Sequence, residues 1–163
     1  MAEKDKLMAE MKEKFTEAKQ ELGFKSSFEE IDELFHIRDG VLDTDFVSNR
    51  FSRQLCSRIV ETYMNWNNYL HSLIMPNPQS MINMHESKMF SDADVRKSII
   101  KTLTKAMALV SRNTKIGLSK DKKQEADFID DAVSFWNEEF EPAIVKVIEK
   151  VNCDWKADAE KED

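Results

Sequence analysis

The chain has 163 residues, 34% of them charged, and a net charge of −7. That length is enough to bury a core. No run of about eighteen apolar residues occurs, which excludes a membrane-spanning helix, and three Gly with three Pro are too few for a sheet joined by tight hairpins. The expectation is therefore an all-α chain: an antiparallel, up-and-down helical bundle of four to five main helices with a short Met-rich helical connection. One domain is expected over residues 1–155, followed by a disordered acidic tail over 156–163, where no apolar anchor occurs.

From residue 1 to 23, Met8, Met11, Phe15, Ala18 and Leu22 recur at heptad spacing. This narrow seam predicts an amphipathic helix, either laid along the bundle or extended as an arm to another subunit. Gly23 ends it. Ser27 with Glu30 forms a capping box, and Phe28, Ile31, Leu34 and Phe35 give one apolar face up to about His36. Arg38-Asp39-Gly40 reads as a turn.

The long stretch from Asp45 to Met75 is the expected central column. Asp43 or Thr44 can cap it, and Pro76 stops it. Phe51, Leu55, Ile59, Tyr63, Trp66, Leu70, Leu73 and Ile74 share one arc. That arc spans roughly half the circumference, wider than the ~100° stripe of a helix lying on a surface, so neighbours are expected on two sides. Trp66 and Leu70 are expected at the middle of the core. Met75 to Gln79 is a loop, and Ser80 to Phe90 is a short helical piece rich in Met.

From Asp92 to Ile116 a further helix carries Val95, Ile99, Leu103, Ala106, Met107 and Val110 on one face, with Gly117 closing it. Ser119 is placed to cap the next, which starts near Lys122. There Ile129, Val133, Trp136, Phe140, Ala143, Ile144, Val147 and Val151 hold one stripe. Pro142 interrupts it with a missing amide, which predicts a kink or one-residue break without a change of direction.

Charge is the strongest local signal. Lys97, Lys101, Lys105, Arg112 and Lys115 form a basic stripe opposite an apolar face, the candidate anion-binding surface. Asp127, Asp131 and Glu138 form an acidic stripe on the next helix, also opposite its apolar face, so the two stripes are expected to point apart. The basic stripe is then free for a phosphate, a nucleic acid or an acidic protein partner. The absence of interleaved aromatics and the overall negative charge disfavour nucleic acid. Arg53, Asn67 and His71 lie along one edge of the central apolar arc and Arg96 lies on the apolar arc of its own helix, and all four are candidates for lining a small pocket.

Metal readings are weaker. Met75, Met81, Met84, His85 and Met89 include soft ligands suited to Cu(I), but Met more often fills core gaps. Glu33 and His36 have one Glu-x-x-His spacing where a di-iron bundle needs two. No metal, no cofactor and no catalytic residue is assigned. Glu30-Ile-Asp-Glu33 and Asp127-Phe-Ile-Asp130 loosely resemble the paired acidic motifs of all-α nucleotide pyrophosphohydrolases. That resemblance implies Mg²⁺-dependent hydrolysis, the alternative function. The acids, however, face away from the apolar arcs and would not converge. The favoured expectation is a non-catalytic binding or assembly module with an anion-binding basic face. It is expected to be a homodimer and, with no signal-peptide core and only Cys56 and Cys153, cytoplasmic and away from membranes.

Overall fold

The computed structural model describes residues 2–162, all-α with no strand among them. The helices are α1 (Ala2–Leu22), α2 (Phe28–Phe35), α3 (Ile37–Thr44), α4 (Phe51–Ile74), α5 (Met81–Met89), α6 (Ala93–Ser119), α7 (Lys122–Phe135) and α8 (Glu141–Glu162), with a π-helical turn at Trp136–Phe140. None of the described helices is long and apolar enough to cross a membrane. The chain divides into two compact units, Met1–Tyr63 with Leu109–Ser134, and Met64–Ala108 with Phe135–Asp163.

In the first unit the heptad seam of α1 is already used. Met11, Phe15 and Ala18 are buried, and Phe15 meets Phe24 and Phe28 edge-on at 5.5 and 5.2 Å between ring centres. The helix therefore packs on its own chain through the middle of the seam, and Met8 and Leu22 at its two ends are half-buried. Gly23 ends it in the left-handed region, at φ 79°, where a residue without Cβ carries no steric cost. Ser27 caps α2 by accepting from the Glu30 amide at 3.1 Å.

The turn that follows lies at His36, at φ 53°, one turn earlier than Arg38-Asp39-Gly40. Asp32 causes this. Its carboxylate accepts from the Arg38 amide at 2.8 Å and from Arg38 Nε at 2.7 Å, fixing the start of α3. Gly40 then sits inside α3, where a Cβ would stand 3.3 Å from Arg58 Nε. Its role is clearance.

With Thr44 inside α3 and Asp45 at φ 51°, α4 starts at Phe51 and not at Asp45. Gln54 holds the intervening loop, accepting from the Ser48 amide at 2.8 Å and donating to the Phe46 carbonyl at 3.0 Å. Phe51, Leu55, Cys56, Ile59 and Tyr63 are buried in this unit with Phe128, Ile129, Ala132 and Val133 of α7. Tyr63 donates to the Ala132 carbonyl at 2.6 Å. Asp121, rather than Ser119, caps α7, accepting from the amides of Lys123 and Gln124 at 2.9 and 3.2 Å.

In the second unit Leu70, Leu73, Phe90 and Ile99 are buried, whereas Trp66 is only half-buried. Ser80 caps α5. Three contacts then fasten α5: Ser87 Oγ donates to the Leu73 carbonyl at 2.7 Å, His85 Nε2 lies 2.8 Å from Asp158 Oδ2, and Glu86 accepts from Tyr69 Oη and Trp155 Nε1. Two of these reach the end of α8. The stretch from Lys156 to Glu162 is helical, not without structure as its composition suggested, and Asp163 lies outside the described residues. Local contacts compensate for the missing apolar anchor: Lys161 pairs with Asp158 at 2.9 Å, and the His85 ring lies tilted against that of Trp155 at 4.6 Å between centres. Hydrogen bonds from Lys161 and then His85 hold the Asp158 carboxyl below its ordinary range.

The π turn accounts for Pro142. Trp136, Phe140 and Ile144 are all buried yet separated by two successive steps of four. In an α-helix each such step drifts about 40° off the stripe. A π turn holds more residues and restores the phase: the Glu141 amide donates to the Trp136 carbonyl, five residues back. Pro142 falls in the first turn of α8, where a missing amide is tolerated.

Candidate functional site

The basic stripe of α6 is not as free as its helical phase implied. Lys105 pairs with Glu139, and Arg112 Nη1 lies 2.6 Å from Asp131 Oδ2. Long side chains reach around the edge of a helix, so stripes that point apart on a helical wheel still meet at their tips. Among the described residues Lys97, Lys101 and Lys115 have no acidic partner. The four pocket candidates divide between the units, Arg53 in the first and Asn67, His71 and Arg96 in the second. Arg96 Nη2 donates to the Ile74 carbonyl at 2.7 Å, closing the end of α4. His71 is exposed. Asn67 is buried with its side-chain amide unpartnered. Arg53 falls in the first unit, with a different set of neighbours.

Those neighbours build a highly charged concavity in the first unit, a cleft of about 300 Å³. The second half of α1 supplies Lys14, Glu17 and Glu21; the entry to α4 supplies Asn49, Arg50, Phe51, Ser52 and Arg53; the α6–α7 junction supplies Lys120, Lys122 and Glu125. Five cations thus face three carboxylates in a chain of net charge −7. The carboxylates are all engaged: Glu17 with Lys14 at 3.0 Å, Glu21 with Lys122, and Glu125 with Arg53 at 3.8 Å. Arg50 and Lys120 are left exposed without an acid among the described residues.

Two backbone features add to this excess. Arg53 is the first residue of α4 whose amide bonds back, to the Arg50 carbonyl at 3.0 Å. The amides of Phe51 and Ser52 have no acceptor among the described residues. They form the positive end of a 24-residue helix, a ready anion site. Lys120 stands at φ 56° after the last turn of α6. Glycine is the usual occupant there, and a side chain costs about 1–2 kcal/mol.

The cleft also holds a pair formed by buried Glu125 and half-buried Arg53. Glu125 is 6% exposed, and Glu125 Oε1 and Arg53 Nη1 lack hydrogen-bond partners. Gly117 makes room for this arginine, since a Cβ there would stand 3.1 Å from Arg53 Nη2. It does not close α6, which runs on to Ser119. Cys56 adjoins the pair electrostatically. Burial first, and then the Glu125 charge, push its thiol up to about 12, so it is no nucleophile near neutral pH.

Among the described residues no group of three or more His, Cys, Asp or Glu could hold a metal ion. Asp130, from the acidic pairs that resembled a phosphohydrolase, accepts instead from the Lys25 and Ser26 amides at 2.9 and 3.1 Å and from Ser26 Oγ at 2.9 Å. Glu30, Glu33 and Asp127 are exposed. Sequence reasoning did not bring Arg50, Lys120 and Lys122 together; Lys120 and Lys122 stood out only as members of the basic run from Arg96 to Lys123. The one signal available was their position at helix ends, and only the folded chain brings those ends together. Comparison with known protein families, curated proteins and solved structures yields no match.

Proposed function

We propose that this chain is a non-catalytic binding module whose ligand is a small anion of the phosphate or carboxylate class, held in the cleft of the first unit. The observation that carries this is that Arg50 and Lys120, neither with an acid partner among the described residues, line one concavity together with Phe51 and Ser52, whose amides have no acceptor among the described residues. The remaining cations there are each matched by a carboxylate, so one to two negative charges would balance the site. The cleft replaces the α6 stripe as the main anion site, because Lys105 and Arg112 of that stripe are already paired. Two free thiols, one buried and one exposed, fit a reducing compartment such as the cytoplasm.

Lys120 gives the sharpest test. Lys120→Gly removes a left-handed side chain and raises the stability of the free protein by about 1 kcal/mol. The same change weakens the stabilisation by added inorganic phosphate. In a thermal-shift titration at fixed ionic strength, phosphate raises the wild-type melting point by mass action. The shift shrinks in Lys120→Gly and in Arg50→Ser but not in Lys97→Gln. Equal phosphate shifts in all four proteins reject the cleft.

A second reading, self-association, rests on a separate observation. Met75, Met81 and Ile82, on α5 and the turn before it, are 67%, 84% and 58% exposed. Apolar side chains concentrated in this way mark contact surfaces. A homodimer formed there persists from roughly 0.1 M to about 1 M salt, since apolar burial is not screened as charge pairs are. Light scattering at tens of micromolar checks it. The wild type should be dimeric at both salts and Ile82→Glu monomeric; a monomeric wild type sinks this reading.

A further inference from the structure

We propose that the second unit carries a distinct ligand site, a groove between the first half of α6 and α8 that takes a straight-chain monocarboxylate. The groove measures about 520 Å³, within the ~300–1,000 Å³ range of small-molecule sites. Its floor is apolar: Leu70, Phe90, Ile99, Ile144 and Val147 line it and are all buried. A floor of that kind selects an apolar body and contributes in proportion to the area covered.

Charge gives the groove a direction. At one end stand Glu138 and Glu139, within the π turn, and at the other Lys146 and Lys150, farther along α8. Glu139 is matched by Lys105 and Lys150 by Asp154 at 2.8 Å. Lys146 has no acid partner among the described residues. Lys150 Nζ also lies 5.9 Å from the centre of the Phe90 ring, which keeps one ammonium directly above the apolar floor. An anionic head therefore belongs at the lysine end, with its chain lying over Ile144 and the small Ala143 toward the π turn. A second carboxylate at the far end of the chain would lie at the end of the groove that no lysine or arginine lines, and would lose water there without gaining a counter-charge. The groove thus distinguishes a monocarboxylate from the dicarboxylate of equal length, by withholding a partner from the second charge as well as by attracting the first.

The test is calorimetric titration of the full chain with hexanoate, octanoate, decanoate, octanedioate and octanol, all below their micellar concentrations. The dissociation constant falls about fourfold per added methylene, and octanedioate binds at least tenfold more weakly than octanoate. Lys146→Glu weakens octanoate and leaves octanol unchanged. Ala143→Trp fills the groove and abolishes binding of every probe; if that variant fails to fold, Ser98→Trp fills the same space from the exposed α6 wall. Affinity independent of chain length overturns the proposal. So does equal binding of octanoate and octanedioate, or undiminished decanoate binding in a folded groove-filling variant.

Discussion

Tyr63→Ala lowers the unfolding free energy by about 3–5 kcal/mol, the range for truncating a buried aromatic side chain. Tyr63 is 0% exposed. Its ring lies 6.0 Å from that of Phe35, and its hydroxyl donates to the Ala132 carbonyl at 2.6 Å. One side chain thus ties α2, α4 and α7 of the first unit together. Burial also pushes its phenol well above the usual tyrosine range, so it remains a neutral donor at any working pH. Tyr63→Phe isolates the polar part of the effect. It keeps the ring and leaves the Ala132 carbonyl without that donor, at a cost of about 1–3 kcal/mol. Urea unfolding measures both, with the slope checking that the denatured state is unchanged. A loss below about 1 kcal/mol in the alanine variant means that the site collapses around the gap, and that Tyr63 is not the tie described.

The apolar arcs were legible because burial follows helical phase. Met11, Phe15, Ala18, Ile31, Leu55, Ile59 and Leu70 all lie inside, where their spacing put them. Trp66 shows the limit of that rule. Phase gives the direction of a side chain, whereas depth depends on what stands opposite, and Trp66 is only half covered. Boundaries failed where one polar side chain decided them. Nothing in the spacing of Asp32 says that it will seize both the amide and the guanidinium of Arg38 and so start α3. Gly40 and Gly117 read as breakers, yet each makes room for an arginine, Arg58 and Arg53 respectively. The π turn could have been found. Trp136, Phe140 and Ile144 run ahead of an α-helical stripe by two steps of four, and Pro142 drew attention away from that mismatch. The cleft could not have been found, because its cations come from α1, the entry to α4 and the α6–α7 junction, three places distant in sequence.

Arg53→Leu costs about 3–5 kcal/mol, because it strands a buried carboxylate without its counter-charge. The Glu125 side chain is 7% exposed and that of Arg53 is 21% exposed. Their 3.8 Å separation is too long for a hydrogen bond, and each leaves one buried polar atom unsatisfied. Such a pair contributes little net stability while both members are present, since desolvation offsets most of the attraction. The double variant Arg53→Leu, Glu125→Leu should therefore recover most of the loss and can exceed wild-type stability, as exchanging buried pairs for apolar side chains often does. The same double variant separates a structural role from a ligand-binding one. If Arg53 serves the cleft, the recovered protein is stable but loses its response to phosphate. If the pair only fills space, stability and phosphate response return together. Chemical denaturation of the three variants, with and without phosphate, reads both quantities, and a loss below about 1 kcal/mol in Arg53→Leu alone would show that Glu125 does not depend on Arg53 for its burial.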